Sequence, residues 1–426
     1  MRRIAWLGLA LLLSVPALAE EPAATPSPAE LMSLARSVQE RVAKLRELPF
    51  KKTIRFETTT KDKVRAYLLQ SLEEQYRPGE LEQEGLAWKA LGLVPAELDY
   101  RAFMLALYEE QVGGYYDPKK KTFYLAEWIG AQLQEPIIAH ELCHALDDQH
   151  FDLSKFNDRI RGNSDAMYAR SALAEGEATL LMMMDSLQQA GGGDVDFSLL
   201  DLDGMLGAAM MSLQAQQFPQ FAAAPEALRE ALMFPYLKGL SFVSYGKKRG
   251  GWKRIDRAYA ELPRSTEQIM HPEKYFDERD APVEVPLSAL DRKALSGWKM
   301  IFEDVLGEFM SLQLLSSLED DEARRATAGW DGDRLRVYQK GDALAFVLLS
   351  QWDSEDDAVE WAGAFAKTVK TRDPGFEHQP AVRGETRMLF TDPERRAIIV
   401  ERRGRAVLVI DRLPQDLAEE VRKLVW

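Results

Sequence analysis

Two histidines four residues apart limit the folds open to this chain more than any other feature of its sequence. His140 and His144 belong to the pentad HELCH at residues 140–144, inside a stretch with helical spacing of apolar residues. Side chains at i and i+4 lie on one face of an α-helix, so both imidazoles can bind a single zinc ion. Glu141 lies beside them and can take a proton from an attacking water molecule. The pentad therefore predicts a helix that packs on one face and carries zinc chemistry on the other.

The residues around the pentad predict an amphipathic helix. One row of side chains at i, i+4, i+7 and i+8 is apolar and contains Ile138, Leu142, Ala145 and Leu146. His140, His144 and Asp148 form a separate polar row, as a buried active-site helix requires. Asp147 or Asp148, about one turn beyond His144, can accept the second N–H of an imidazole and orient the ring. Pro136 is the predicted first helical residue.

The first residues predict export. Met1, Arg2 and Arg3 precede a short apolar run that ends in Ala-Leu-Ala before Glu20. This pattern is typical of a secretory signal peptide over residues 1–19, with cleavage after Ala19. Residues 20–30 are rich in Ala, Pro and Glu and predict a flexible leader. We expect a bacterial periplasmic or secreted protein.

The net charge, the absence of long apolar segments and the single cysteine each exclude one class of partner or covalent link. The formal net charge is −14, which argues against nucleic acid as a partner. No segment approaches transmembrane length, so we expect no stable membrane insertion. Cys143 is the only cysteine, which excludes an intramolecular disulfide and suits an exported chain with a large core. Its position next to His144 predicts a small packed side chain rather than a zinc ligand.

A catalytic zinc ion needs a third protein ligand, and two residues compete for this role. His150 follows His144 by six residues and gives a pattern similar to that of the metzincins. However, Asp147 occupies the position where metzincins use glycine to end the helix. If the helix continues, His150 lies about 15 Å along its axis from His140.

The other candidate is Glu175, in the sequence LAEGEAT at residues 173–179. Here the chain resembles the gluzincins, in which a second helix supplies a glutamate ligand, and the E-G-x-A pattern is similar to that of aminopeptidase relatives. The resemblance implies Glu175 as the third ligand of one zinc ion per chain. Glu177 points about 160° away on a helix and cannot share this role. A patch of small residues around Gly176 predicts close approach of this helix to the pentad helix.

A polar string at residues 265–275 supplies candidates for stabilising the oxyanion. His271 or Tyr275 can donate a hydrogen bond to a developing negative charge, although a structural loop, with His271 hydrogen bonded to backbone before Pro272, is the simpler explanation. His271 is the candidate catalytic residue beside Glu141, and His378 has no assigned role. Most of residues 112–275 resembles uncharacterised exported bacterial HExxH proteins, and this resemblance implies no substrate.

The remaining pattern predicts an α+β fold with two structured parts. Residues 31–322 form a helix-rich zincin-like domain with a small mixed sheet, and residues 330–426 form a small α+β domain with its own core. The predicted helices are residues 31–48, 63–75, 81–93, 100–111, 165–189, 293–318, 355–370 and 415–424. The predicted strands are residues 53–60, 112–116, 122–125, 335–339, 344–349, 397–402 and 406–410.

These features predict an exported zinc metallopeptidase that acts on a peptide or protein substrate. The gluzincin resemblance implies that the strand at residues 122–125 forms the cleft edge and pairs with an extended peptide. A metzincin-like peptidase with His150 as third ligand is one alternative. The other is a non-catalytic zinc-containing envelope protein that binds peptides.

Overall fold

The chain folds into a helix-rich α+β structure with two sheets. The computed structural model describes residues 9–11, 28–156, 160–193, 195–197, 205–292, 295, 297–380 and 386–426. A four-stranded mixed sheet lies in the N-terminal half, and a seven-stranded antiparallel sheet lies in the C-terminal part. The predicted α+β class is therefore confirmed.

The helices follow most of the predicted segments. They are α1 Pro28–Arg46, α2 Lys61–Gln75, α3 Glu80–Ala90, α4 Tyr100–Gln111, α5 Ala131–Phe151, α6 Ser164–Gln189, α7 Met205–Gln217, α8 Pro219–Ala223, α9 Glu226–Gly250, α10 Trp252–Ala260, α11 Thr266–Met270, α12 Glu273–Phe276, α13 Gly307–Gln313, α14 Asp320–Thr327, α15 Glu355–Arg372 and α16 Gln415–Val425. Helix α1 begins within the predicted flexible leader. The predicted signal peptide lies outside the described residues except for Leu9–Leu11.

The strands are β1 Leu9–Leu11, β2 Arg55–Thr59, β3 Val112–Asp117, β4 Thr122–Ala126, β5 Lys299–Asp304, β6 Trp330–Lys340, β7 Ala343–Trp352, β8 Glu377–His378, β9 Arg387–Thr391, β10 Arg396–Arg403 and β11 Ala406–Pro414. The small sheet has the order β1-β3-β4-β2, in which β2 and β4 are parallel. The large sheet has the order β5-β6-β7-β11-β10-β9-β8.

The small sheet corrects the predicted substrate edge. Strand β4 lies between β3 and β2, with Tyr124 opposite Tyr115 on one side and Glu57 on the other. Both of its edges are already paired, so the expectation that residues 122–125 form the cleft edge is wrong. On its other side β3 pairs with β1, Leu9 opposite Tyr115. Sequence pattern could not reveal this order because strand pairing is a long-range property.

Helix α5, which carries the pentad, is one continuous helix. It begins at Ala131, so the prediction that Pro136 starts it is wrong, and Pro136 lies in its second turn instead. There it removes one backbone hydrogen bond near the start of the helix, since proline has no N–H to donate. The helix ends at Phe151, and Asp152 follows in the left-handed conformation (φ 57°).

The large sheet packs on both faces. Phe346, Leu348, Val407 and Val409 face the main core, which also contains Leu142 of α5 and Trp361 of α15. Alternate residues of the same strands face a smaller core beneath α16, and these include Ala345, Val347, Leu408 and Ile410. This alternation is the period-2 pattern of a sheet buried on both faces.

The predicted boundary near residues 322–330 does not coincide with the start of the large sheet. Strand β5 pairs with β6, with Asp304 opposite Leu335, where the sequence predicts part of a helix over residues 293–318. The main core also extends from the N-terminal helices through one face of this sheet. The C-terminal part is therefore not an independent layer with a core entirely of its own.

None of the helices in the described part of the chain combines the length and apolar character needed to cross a membrane.

Candidate metal centre

The structure brings His140, His144 and Glu175 together at the contact between α5 and α6. The Nε2 atom of His140 lies 3.1 Å from the Nε2 atom of His144 and 3.1 Å from Oε2 of Glu175. The Nε2 atom of His144 lies 3.3 Å from the same carboxylate oxygen. Three potential ligand atoms therefore converge on one point. All three residues are nearly inaccessible to solvent, at 1%, 3% and 3% exposed.

These separations suit a tetrahedral zinc ion. With zinc–nitrogen and zinc–oxygen bonds of about 2.0–2.1 Å, two ligands of a tetrahedral site lie roughly 3.3 Å apart. Two imidazoles and one carboxylate are also a donor set that zinc prefers, whereas magnesium and calcium need mostly oxygen ligands. The residues present thus fit zinc in both geometry and chemistry.

The electrostatics of the three residues favour a bound cation. Burial by itself raises the pKa of Glu175, but the two imidazoles outweigh it and hold the pKa at about 2. Burial by itself lowers the pKa of His144, but the Glu175 carboxylate reverses the direction and raises the pKa to about 9. The pKa of His140 is lowered, chiefly by burial. The centre therefore holds a buried anion that attracts positive charge.

Glu141 is anchored to the neighbouring strand. Its Oε2 atom accepts a hydrogen bond of 2.7 Å from the backbone N–H of Tyr116 in β3. The residue is completely buried. This contact fixes the carboxylate beside the histidines of its own helix. It also links the candidate base to strand β3 of the small sheet.

Tyr236 of α9 is a candidate site residue that the sequence did not reveal. Its hydroxyl is hydrogen bonded to Glu175, and its ring lies over that of His140 with centroids 6.1 Å apart. Burial, together with the charges of Glu175 and Glu141, raises its pKa well above the ordinary value. The phenol therefore stays protonated and remains a hydrogen-bond donor inside the centre.

A glycine contact explains why α9 comes so close. A Cβ atom added to Gly176 would overlap the backbone of Gly239, and one added to Gly239 would overlap the carbonyl oxygen of Ala172. Tyr236 lies almost one turn before Gly239. The small-residue patch around Gly176 thus packs α6 against α9, and the expectation that it faces the pentad helix is wrong. The two glycines were a signal in the sequence that α6 packs closely against another helix. The sequence alone does not show that this helix is α9, which carries Tyr236.

His150 lies away from the three converging residues. Because α5 is continuous as far as Phe151, His150 is carried beyond them, and its Nε2 atom lies 2.8 Å from the carbonyl oxygen of Pro49. The structure therefore gives no support to the metzincin-like ligand set.

The predicted orienting carboxylates have other partners. Asp148 accepts hydrogen bonds from the Tyr116 hydroxyl (2.9 Å) and from Lys121 Nζ (2.6 Å). Asp147 accepts from the hydroxyl of Tyr259 at 3.1 Å. In the described structure Oδ1 of Asp147 and Nδ1 of His144 are both buried without a hydrogen-bond partner. Neither aspartate is hydrogen bonded to an imidazole.

The structure does not bring the predicted oxyanion donors to the centre. The Nε2 atom of His271 lies 2.9 Å from the buried carboxylate of Glu308, and the hydroxyl of Tyr275 donates to the carbonyl of Glu261 at 2.5 Å. Among the described residues, no hydrogen bond or ion pair joins either side chain to His140, His144 or Glu175. His378 is exposed in β8, where its ring packs on Phe390.

A second buried polar cluster occupies a neighbouring face of the same helix pair. Cys143 and Asp147 of α5 and Glu177 of α6 also place ligand-type atoms close together. Arg46 at the end of α1 is completely buried and donates to Glu177, and its Nη2 lies 2.6 Å from Asp256. The guanidinium packs over the ring of Trp252 at 4.7 Å. This cluster therefore contains its own cation.

Comparisons with known proteins reach only the C-terminal part of the chain. A family model described as a domain of unknown function (DUF8575) matches residues 293–422, the region of the large sheet. No curated protein and no solved structure matches the chain. The candidate metal centre lies outside the matched residues, so its chemistry has to be argued from its own geometry.

Proposed function

We propose that this protein is an exported zinc-dependent peptidase of gluzincin type, with zinc held by His140, His144 and Glu175. The observation that carries the proposal is the convergence of three ligand atoms within 3.1–3.3 Å of one another beside Glu141. A purely structural zinc site is normally closed by four protein ligands, whereas three leave a position for chemistry. The signal peptide predicted from the sequence of residues 1–19 supports a periplasmic or secreted location.

Zinc, when bound, supplies Lewis acidity that polarises the scissile carbonyl group and makes a water molecule easier to deprotonate. The protein's own groups then handle the protons. Glu141 takes a proton from the attacking water and delivers it to the leaving amine. Its hydrogen bond from the Tyr116 N–H holds the carboxylate in place for both steps.

Tyr236 is the group best placed to stabilise the oxyanion. Its hydroxyl stays protonated and donates its single proton to Glu175, and this proton can turn to the substrate oxygen as negative charge develops there. We assign this role to Tyr236 in preference to His271, because Tyr236 contacts Glu175 whereas the described contacts of His271 are with Glu308 and Glu273 and not with the three ligand residues.

The edge of β3 is the proposed binding place for the peptide. Strand β1 already pairs with this edge in antiparallel fashion, which demonstrates that the edge accepts an extended segment. Tyr116 of β3 contacts Glu141, so a peptide paired here would pass beside the centre. If the signal peptide is cleaved after Ala19, Leu9–Leu11 leave with it and the edge becomes free.

The test is hydrolysis of a quenched-fluorescence peptide library by zinc-loaded protein, with and without residues 1–19. We expect cleavage by the shortened chain that a chelator abolishes. Glu141→Gln should keep the zinc content and lose activity by about 10²–10⁴-fold, because the amide cannot act as a base.

Two outcomes would contradict the proposal. Equal activity of the wild type and Glu141→Gln would refute the mechanism. A zinc-loaded wild type that binds library peptides without cleaving them would favour the non-catalytic envelope protein instead.

A further inference from the structure

A cavity of about 400 Å³ lies between the start of α6, the segment at residues 282–285 and strand β6. None of the three candidate zinc ligands lines it. Four arginines do: Arg161, Arg170, Arg264 and Arg334. In a chain with a net charge of −14, such a concentration of guanidinium groups around one cavity calls for an explanation.

Arg170 and Arg334 are the two partly buried arginines of this set. The Nη1 atom of Arg170 donates to the carbonyl of Phe156, and burial lowers the pKa of this guanidinium. Its Nε atom is buried and has no hydrogen-bond partner in the structure as described. No carboxylate of a described residue forms an ion pair with it. A partly buried cation without a counter-charge is unfavourable, and an anion in the cavity would relieve this.

The other three arginines also line the cavity. Arg161 and Arg264 are exposed, and neither guanidinium forms an ion pair within the described ranges. Arg334 donates to the carbonyl of Gly162 at 3.2 Å and lies 3.8 Å from Glu303. Their donors are therefore largely available to a ligand.

The acidic residues of the cavity neutralise only part of this charge. Asp333 keeps its negative charge at neutral pH, because burial raises its pKa only to about 6, and its oxygens accept hydrogen bonds from the backbone N–H groups of Leu306 and Gly307 and from the indole of Trp330. Burial raises the pKa of Asp165 to about 8, which leaves this carboxyl mostly protonated at neutral pH.

The free oxygen of Asp165 adds a donor rather than a charge. Its Oδ1 accepts from Thr266, while Oδ2 has no partner and can donate its proton. Glu284, which is exposed, is the remaining acid of the lining. Positive charge therefore predominates at neutral pH.

We propose that this cavity binds a small ligand carrying two negative charges on oxyanion groups, either a phosphate or a dicarboxylate. Guanidinium groups bind both kinds of oxyanion in bidentate fashion, and several of them around one cavity favour a dianion over a single carboxylate. The bound ligand touches both α6, which also carries Glu175, and β6 of the large sheet. It joins the region matched by the family model to the helix of the candidate metal centre.

The test is calorimetric titration of the full chain with inorganic phosphate and, separately, with succinate at matched ionic strength. We expect saturable binding of one equivalent of at least one of them. Arg170→Ala/Arg334→Ala should weaken binding at least about tenfold, because two charge-assisted contacts are lost. Arg325→Ala removes an exposed arginine elsewhere, on α14, and should leave binding unchanged.

Arg161→Ala/Arg264→Ala provides a second test that leaves the partly buried Arg170 and Arg334 in place. Both substituted side chains are exposed, so their loss should not disturb folding. An anion bound at the metal centre would be retained by both double variants, so they separate the two sites. The proposal is overturned if neither anion binds the wild type saturably. It is equally overturned if both double variants bind as tightly as Arg325→Ala.

Discussion

Helices α5 and α6 form two buried sets of ligand-type side chains that lie side by side. One contains His140, His144 and Glu175, and the other contains Cys143, Asp147 and Glu177. The second set holds the guanidinium of Arg46, whereas no arginine or lysine of the described chain forms an ion pair with the first. Burial raises the pKa of Asp147, which further reduces the charge of the second set.

The difference shows that converging ligand atoms do not by themselves make a metal site. What matters is whether the protein already supplies the counter-charge. In the second set a cation is part of the fold, so a metal ion would have to displace a buried guanidinium. In the first set, among the described residues, the anion is balanced only by imidazoles, a side-chain type that zinc commonly takes as a ligand.

The largest expected effect is the difference in zinc binding between the two sets. His140→Ala/His144→Ala should remove zinc. Its affinity should fall by more than the roughly 10–100-fold that is typical when a residue hydrogen bonded to a metal ligand is mutated. Cys143→Ala/Asp147→Asn should leave about one zinc ion per chain, because it alters the set that holds Arg46. Metal content after dialysis measures both. Zinc retained by the histidine variant would place the site elsewhere.

Removal of Arg46, the cation of the second set, should lower the stability of the fold rather than change zinc binding. Arg46→Met leaves Glu177 and Asp147 buried without their partner, and we expect a loss of about 3–5 kcal/mol in the free energy of unfolding. Urea denaturation measures it. Adding Glu177→Gln to this variant should recover part of the loss, since it removes one uncompensated charge. A loss below about 1 kcal/mol in the single variant would mean that the pair is not coupled.

The helix crossing that brings Tyr236 to the first set can be tested with matched glycines. Gly176→Ala should destabilise the protein by about 1–3 kcal/mol, because its methyl group overlaps Gly239. Gly363→Ala on α15 meets nothing within 4 Å and should be neutral or stabilising by up to about 1 kcal/mol. Thermal unfolding of the two variants compares them. Equal stability would show that α6 and α9 are not in tight contact.

The smallest expected effect is that of His150→Ala. It removes one partner of the Pro49 carbonyl oxygen, a loss of about 1 kcal/mol, and should leave the zinc content unchanged. Glu175→Ala is the comparison and should weaken zinc binding severely. The reverse result in zinc titrations of these two variants would identify the metzincin-like ligand set.

Local spacing accounts for most of what the sequence predicts correctly. The pentad determines which residues of α5 share a face. The alternation at residues 335–339 and 344–349 predicts parts of β6 and β7, although β6 begins already at Trp330 and β7 extends to Trp352. Strand β5 was missed because its six residues lack alternation, and pairing with β6 determines its conformation.

Long-range packing accounts for the errors at the site. Glu175 was found through a family pattern, but Tyr236 lies on a distant helix whose approach depends on two glycines. The order of the small sheet, and with it the substrate edge, likewise depends on pairing between distant segments.

Because Cys143 is buried on α5, its reaction with a thiol reagent can measure local opening of the fold. The thiol is completely inaccessible, and burial raises its pKa well above the ordinary value, so alkylating reagents cannot attack it while α5 is packed. Since it is the only thiol in the chain, its labelling rate measures how often the helix that carries His140 and His144 opens. The adduct is detected by mass, and because one thiol reacts once, each labelled molecule marks a first opening of the region around α5.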